Sequence, residues 1–216
     1  MFFGAFSRGR SRSAILLVAL GLVASVLLLA GILIPRVTTH GAGDLTSLAG
    51  SSPGLAARPQ GGDFRLQTDA GALDLAELRG KVVLIYFGYT SCPDICPTNL
   101  AIIASALRRL SAAERARVRV LFVSVDPERD TPRRLAEYAG YFHPNILGLT
   151  GTPDAVARAA SLYGARYGRE PSESAMGYLV YHTAYTYVVD PTGRLVERLD
   201  HATPPEEVLQ VIRDQL

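Results

Sequence analysis

The chain is expected to fold as an α/β domain, with a central sheet flanked by helices on both faces. Two almost continuous apolar runs, residues 81–87 and 118–125, have the length and composition of buried strands. A helical pattern follows the first run over residues 98–110, and strand and helix patterns go on alternating to the end of the chain. Such alternation is typical of an α/β sheet.

The other elements follow from local patterns and from turn and capping residues. We predict further strands at residues 64–68, 146–149, 184–189 and 194–199, and further helices at residues 75–78, 132–141, 153–162 and from residue 205 onward. Thr152 is suited to cap one of these helices, and the tetrad Asp190-Pro191-Thr192-Gly193 predicts a β-hairpin turn. Residues 163–180 show no periodicity and are predicted to form an insertion or a hairpin.

The N-terminal part of the chain differs from the rest. Residues 14–34 are uncharged and, as a helix of about 31 Å, are long enough to cross a bilayer, so we expect a transmembrane anchor there. Three arginines precede this run and only Arg36 soon follows it, which places residues 1–13 in the cytoplasm. Residues 35–62 are expected to be a flexible tether, and residues 63–216 a single domain outside the membrane.

The charge of the chain excludes one class of partner. Residues 1–40 hold four arginines and no acidic residue, so the remaining chain carries 18 basic and 20 acidic residues. The excess of positive charge therefore belongs to the N-terminal segment. No basic cluster with interleaved aromatic residues is present, so nucleic acid is not an expected partner.

The chain has only two cysteines, Cys92 and Cys96, and they lie one helical turn apart just after the predicted strand 81–87. Such a pair can form a disulfide, exchange one with a partner, or bind a soft metal. Ligands bind at the carboxyl ends of strands in α/β sheets, and a helix starting after Cys96 would lower the pKa of both thiols. The alternative is that both cysteines are small core residues or form a structural disulfide. Because Cu(I) accepts two or three soft donors and zinc prefers four ligands, one added histidine would favour copper.

Two long motifs closely resemble those of the Sco/SenC proteins. They are residues 86–98, which contain Cys92-Pro93-Asp94-Ile95-Cys96-Pro97, and residues 122–132, which contain Asp126-Pro127-Glu128-Arg129-Asp130-Thr131-Pro132. The resemblance covers about residues 60–216. It implies a thioredoxin-like fold with a central mixed sheet, in a membrane-anchored copper chaperone of the inner membrane whose domain lies on the periplasmic side.

The resemblance also implies a ligand set, a client and partners. Copper, as Cu(I) or Cu(II), would be bound by Cys92, Cys96 and a third ligand at the matching position, His182. It would be delivered to the dinuclear copper centre of cytochrome c oxidase. The expected partners are the copper-bearing subunit of that oxidase, other copper chaperones and thiol reductants. One departure is Tyr181, because the family usually has an acidic residue immediately before this histidine, so copper affinity is expected to differ.

Other interpretations of the same residues remain open. A thiol-disulfide oxidoreductase would need Cys92 and Cys96 but not His182, and a peroxiredoxin-like peroxidase is a third possibility, although we expect a chaperone rather than an enzyme. His40, His143 and His201 are expected to be surface or capping residues. Asp126 and Asp130 are expected to cap and pair locally at the next helix.

Overall fold

A computed structural model describes residues 59–173 and 177–216. Its nine strands in this part of the chain are β1 (Arg65–Thr68), β2 (Gly71–Asp74), β3 (Val82–Gly88), β4 (Val118–Ser124), β5 (Ile146–Leu149), β6 (Tyr167–Pro171), β7 (Tyr178–His182), β8 (Thr186–Val189) and β9 (Leu195–Leu199). Its α-helices are α1 (Ile95–Arg108), α2 (Ala112–Ala116), α3 (Pro132–Phe142), α4 (Pro153–Leu162) and α5 (Pro205–Asp214), and a 3-10 helix spans Leu75–Leu78.

Five strands form a central mixed sheet in the order β5-β4-β3-β8-β9. Strand β3 pairs in parallel with β4 and antiparallel with β8, and β4 pairs in parallel with β5. The hairpins β1–β2 and β6–β7 form two separate two-stranded sheets. The second hairpin accounts for most of the stretch without periodicity at residues 163–180, for which an insertion or hairpin was predicted.

Helices cover both faces of the sheet, as the alternating pattern predicts. Every residue of β3 is buried, and its successive side chains point to opposite faces. On one face, Tyr86 contacts Phe122, which in turn packs on Tyr138 of α3 with ring centroids 5.4 Å apart. On the other face, the ring of Phe87 lies 6.1 Å from that of Tyr163, the residue that directly follows α4.

The observed elements include all the predicted ones, but strand β2 and helix α2 are not predicted from the sequence, and two predicted boundaries are corrected. Helix α1 begins at Ile95, three residues before the predicted start, so Cys96 lies inside its first turn and not ahead of it. The last residues of the predicted tether pack on the domain, because the Gly61 amide donates to the Leu162 carbonyl at 3.1 Å and Tyr163 donates to the Gly62 carbonyl at 3.0 Å. The start of α1 and the end of the tether differ from the predictions because tertiary contacts at these two places outweigh local propensity.

The predicted cytoplasmic segment 1–13, the anchor 14–34 and most of the tether lie outside the described residues. In the part of the chain that the structure does describe, no helix has the length and apolar character needed to cross a membrane.

Candidate metal centre

The two cysteines lie at the carboxyl end of β3, where the loop after this strand leads into α1. Cys92 is in the loop and 9% exposed, whereas Cys96 is the second residue of α1 and fully buried. Both are free thiols. Pro97 follows Cys96 within the first turn, where the missing amide hydrogen of proline costs no helical hydrogen bond.

Gly88, the last residue of β3, allows Cys96 to pack against the strand. A Cβ atom at position 88 would lie 2.7 Å from the Cys96 Sγ and 2.7 Å from a ring carbon of Phe122. Such distances are far below ordinary contact, so a larger residue would displace the sulfur. The signal in the sequence is a glycine at the end of a buried strand, which often marks a close approach.

His182 completes the cluster from a distant part of the chain. It is the last residue of β7, and its Nε2 atom lies 3.3 Å from the Cys96 Sγ. The ligand atoms of Cys92, Cys96 and His182 all lie within 4.8 Å of one another, and they form the one group of three or more potential metal ligands among residues 59–173 and 177–216. The structure therefore brings together the three predicted site residues.

The imidazole of His182 is oriented for ligation through Nε2. Its Nδ1 atom lies 3.1 Å from the backbone carbonyl of Thr183, and a carbonyl oxygen can only accept, so Nδ1 carries a proton. In the neutral ring the lone pair is then on Nε2, which faces the sulfurs. A backbone carbonyl bonded to the distal ring nitrogen is a common arrangement for metal-binding histidines.

The two thiols are electrostatically unequal. The hydrogen bond from the Cys96 thiol, together with those from the amides of Asp94 and Cys96, lowers the pKa of Cys92 well below its usual value, against the opposing effect of burial. Burial, followed by the nearby Cys92 sulfur, raises the pKa of Cys96. The expectation that the helix N-terminus lowers the pKa of both thiols is therefore wrong for Cys96, because its sulfur is buried beneath Gly88 and Tyr86.

Two tyrosines close the buried side of the cluster. The rings of Tyr86 and Tyr89 lie 6.1 and 5.9 Å from the His182 ring, both edge-on. The Tyr86 hydroxyl is 3.9 Å from the Cys96 Sγ, and burial raises the pKa of Tyr86, so it stays a neutral donor. The two tyrosines therefore exclude water from this side of the site. A site without water favours metal ions that bind sulfur over ions that keep water as a ligand.

The second motif fixes the cysteine loop through Asp130. This carboxylate is fully buried and accepts hydrogen bonds from the Thr90 amide at 2.9 Å, from the Thr90 hydroxyl and from Ser124 at 2.7 Å. Arg134 donates to Thr90 at 2.6 Å and to Ser91 at 3.2 Å. Asp130 thus holds the residues just before Cys92 and does not cap α3, a role that Thr131 performs.

Asp126 in the same motif holds the hairpin that carries His182. It is fully buried, pairs with Arg129 and accepts from the Tyr178 hydroxyl at 2.7 Å. Arg129 donates to the Tyr178 carbonyl at 3.1 Å and stacks 3.8 Å from the centre of its ring. The predicted local pairing of Asp126 is therefore present with Arg129, but its further partner Tyr178 lies 52 residues away. A pattern of neighbouring residues cannot reveal such a contact.

The other histidines do not join the cluster. His143 ends α3, and its Nδ1 accepts from the Asn145 amide at 3.0 Å, so it caps the turn as predicted. Burial lowers the pKa of His143. His201 is exposed after β9, and His40 lies outside the described residues.

The donor set fits a soft metal ion. Two donors bound at about 2.0–2.3 Å to one ion lie at most about 4.6 Å apart, so atoms already within 4.8 Å need little movement. Two sulfurs and one imidazole nitrogen suit Cu(I), and with an added ligand Cu(II). The protein is thus of the class of α/β proteins with a dithiol–imidazole centre at the carboxyl edge of the sheet.

The sequence places the protein within one family of this class. The pattern that defines the SCO1/SenC family matches residues 53–216, and the chain belongs to this family. Over 154 residues it is 37% identical to Protein SCO2 homolog, mitochondrial, of Bos taurus, which covers 70% of this chain and 58% of that protein. The chain therefore aligns with less than two thirds of that relative's length.

Solved structures of Sco proteins share the fold. Bradyrhizobium japonicum ScoI with copper bound is 38% identical, with a TM-score of 0.66 over 72% of this chain and 99% of that one. BsSco, a member of the Sco family of cytochrome c oxidase assembly proteins for which a disulfide switch has been identified, is 26% identical, with a TM-score of 0.58 over 74% and 94% of the two chains. The central mixed sheet is thus that of the Sco-like, thioredoxin-like α/β fold.

Proposed function

We propose that this protein is a membrane-anchored copper chaperone that delivers copper to the dinuclear copper centre of cytochrome c oxidase. Cys92 and Cys96 are the thiolate ligands and His182 is the third. The observation that carries the proposal is the position of His182 Nε2, 3.3 Å from Cys96 Sγ, although the two residues are 86 positions apart. The copper-bound relative and the oxidase assembly role of BsSco support the choice of metal and client.

The proposal also includes the location of the protein, its partners and the effect of thiol oxidation. The chain is anchored by residues 14–34 in the inner membrane, and the domain faces the periplasm. Its partners are the copper-bearing subunit of the oxidase, other copper chaperones and thiol reductants. Oxidation of Cys92 and Cys96 to a disulfide removes two of three ligands, so thiol redox state and metal binding are mutually exclusive.

The proposal is tested by copper binding to the full chain, reduced and anaerobic, in a neutral detergent. We expect one Cu(I) per chain, and X-ray absorption should show sulfur and nitrogen ligands. H182A should weaken Cu(II) binding by at least about tenfold, as loss of one good ligand does. The matched control H143A removes a histidine outside the cluster and should leave Cu(II) binding unchanged. Absence of stoichiometric Cu(I), or an unchanged Cu(II) affinity in H182A, would refute the proposal.

A second candidate function is that of an extracytoplasmic thiol-disulfide oxidoreductase acting on the cysteines of the oxidase copper site. The unequal thiols favour it, because Cys92 has a lowered pKa and is slightly exposed while Cys96 is shielded. The reduction potential and the turnover of a disulfide substrate separate the two functions. Turnover that persists in H182A supports the enzyme, whereas stoichiometric copper binding without turnover supports the chaperone.

A further inference from the structure

Tyr138, on α3, has a hydroxyl that no contact within the described part of the chain uses. Its ring packs against Phe122 and Phe142, with ring centroids 5.4 and 5.3 Å away. The hydroxyl oxygen is buried, and among residues 59–173 and 177–216 it has no hydrogen-bond partner. An unpaired hydroxyl in the interior costs stability, and phenylalanine would fill the same space without this cost. We therefore expect the hydroxyl to serve a state of the protein in which it has a partner.

The direction of α3 points this hydroxyl towards the metal centre. The helix begins at Pro132, directly after the loop in which Asp130 holds the cysteine segment, so its N-terminus lies at the carboxyl edge of the sheet. Side chains in a helix lean back towards the N-terminus of that helix. The Tyr138 side chain therefore leans towards the edge at which the two cysteines lie.

Phe122 links Tyr138 to the sulfurs. A Cβ atom at Gly88 would lie 2.7 Å both from a ring carbon of Phe122 and from the Cys96 Sγ, so the ring that Tyr138 contacts is a neighbour of this sulfur. Cys96 and then Cys92 are also the ionisable groups with the largest electrostatic effect on Tyr138. Tyr138 thus borders the dithiol from the side of α3.

Among the groups around this hydroxyl, the sulfurs are the acceptors with capacity to spare. Burial raises the pKa of Tyr138, so the phenol stays a neutral donor. The other nearby anion is Asp130, which already accepts hydrogen bonds from the Thr90 amide, the Thr90 hydroxyl and Ser124. A thiol is only a weak acceptor, but a metal-bound cysteine is a thiolate and accepts hydrogen bonds much better.

From this placement we propose that Tyr138 is a positioning residue of the metal centre, whose hydroxyl donates a hydrogen bond to the Cys96 thiolate in the metal-bound protein. The inference rests on the function given above. Because the hydroxyl gains a partner only in the metal-bound state, it favours that state over the free one. A hydrogen bond to a cysteine ligand also sets how strongly the sulfur donates electrons to copper, and so tunes the reduction potential of the bound ion.

The test compares Y138F with the wild type, as the full chain in a neutral detergent, because this variant removes the hydroxyl and keeps the ring. Cu(I) affinity, measured by competition with a chromophoric chelator, should fall by about three- to tenfold, as a lost hydrogen bond to a charged acceptor predicts. In the Cu(II) form the sulfur-to-copper charge-transfer band should move to longer wavelength and the reduction potential should fall. The free energy of unfolding of the metal-free chain should equal or exceed that of the wild type, because an unpaired hydroxyl is removed.

The matched control is Y141F, which removes a hydroxyl three residues further along α3 from a side chain that is 86% exposed. It should leave Cu(I) affinity, the charge-transfer band and stability unchanged. If Y138F matches Y141F in Cu(I) affinity and in this band, the inference is overturned even though copper binds. A metal-free Y138F chain less stable than the wild type would also overturn it, because the hydroxyl would then have a structural partner in the free protein. Failure of the wild type to bind copper would instead refute the proposed function, and this inference with it.

Discussion

At the scale of single residues, the site depends on two sulfurs with different surroundings. Cys96 is buried beneath β3 and receives contacts from Gly88, Tyr86 and His182, whereas Cys92 lies in a loop and is stabilised as a thiolate by hydrogen bonds. Cys96 is therefore the more tightly packed of the two sulfurs, and Cys92 is the more accessible one. The close packing at Gly88 is the feature that holds the Cys96 sulfur in place.

The first prediction concerns Gly88. G88A places a methyl group 2.7 Å from the Cys96 sulfur and from Phe122, so the sulfur or the ring must move. We expect the free energy of unfolding to fall by about 1–3 kcal/mol, as for other overpacked cores, and Cu(I) affinity to fall by at least about tenfold. Denaturant unfolding and competition with a chromophoric Cu(I) chelator measure the two effects.

The control for this variant is G140A. Gly140 lies in α3, and a Cβ atom there meets nothing within 4 Å. Replacing a helical glycine with alanine should stabilise the fold by about 0.5–1 kcal/mol and leave copper binding unchanged. If G88A binds Cu(I) as tightly as G140A does, the close approach has no role in ligand placement.

At the scale of elements, three separate parts of the chain converge on the site. Strand β3 and helix α1 supply the cysteines, the loop after β4 supplies Asp126 and Asp130, and the β6–β7 hairpin supplies His182. Asp130 fixes the cysteine loop and Asp126 fixes the hairpin, so the two buried carboxylates set the separation between sulfurs and imidazole. The hairpin is not paired with the central sheet, and side-chain contacts must therefore hold it in place.

The second prediction tests the contact that holds the hairpin. Y178F removes the hydroxyl that donates to Asp126 at 2.7 Å but keeps the ring on which Arg129 stacks. Loss of one hydrogen bond to a buried carboxylate costs about 1.5–3 kcal/mol of stability. Because this bond holds the β6–β7 hairpin, we also expect His182 to be held less firmly.

For Y178F we expect Cu(II) affinity to fall by about three- to tenfold and the nitrogen signal in the EPR spectrum to weaken, while Cu(I) binding by the thiolates changes little. The control is Y141F, since Tyr141 is 86% exposed. An EPR spectrum of Y178F identical to that of Y141F would show that His182 is positioned without this contact.

The third prediction concerns the turn of the β8–β9 hairpin. Burial alone would raise the pKa of Asp190, but hydrogen bonds from Thr192 and Arg194 outweigh it and hold the pKa well below its ordinary value. The carboxylate of Asp190 therefore makes its full contribution to the free energy of unfolding above its unfolded pKa of about 3.9. This contribution is lost as pH falls towards the folded pKa.

We expect D190N to lower the free energy of unfolding by about 1–2 kcal/mol at pH 7, because the charged acceptor of five hydrogen bonds becomes neutral. The difference between the wild type and D190N should begin to shrink below about pH 4 and vanish only as the pH approaches the strongly lowered folded pKa of Asp190. Denaturant unfolding across this pH range measures the difference. A constant difference at every pH would exclude the charge of Asp190 as the cause.

At the scale of the whole molecule, the charge and apolar patterns separate an N-terminal segment from a domain. All the excess positive charge lies in residues 1–40, and the part of the chain after residue 40 carries slightly more acidic than basic residues. The excess positive charge of the chain is therefore a property of its N-terminal segment and not of the domain that carries the two cysteines.

The fourth prediction tests the proposed topology. A periplasm-dependent phosphatase fused after residue 216 should be active, and the full chain should stay with membranes after a wash at high salt. The same fusion without residues 1–40 should be inactive, because it lacks the segment that directs it across the membrane. Its matched control keeps residues 1–40 but replaces Arg8, Arg10 and Arg12 with glutamine, which should lower the active fraction. An active fusion without residues 1–40 would contradict the anchor.

The sequence alone determined much of this protein. Apolar periodicity, caps and turn residues determined the order of strands and helices, because these signals depend on neighbours in the chain. The spacing of Cys92 and Cys96 determined that the chemistry is that of a dithiol. Resemblance to known motifs also indicated His182, although no local property of that histidine distinguishes it from His143.

Only the tertiary structure decided how these parts combine. It brought His182 to the sulfurs, buried Cys96 beneath Gly88, and assigned Asp126 and Asp130 to the hairpin and the cysteine loop rather than to a helix cap. It also placed Arg166 and Arg198, 32 positions apart, in one groove against α4. These features arise from burial and from contacts between residues that are far apart in the chain. A pattern of neighbouring residues does not record which distant residues will meet.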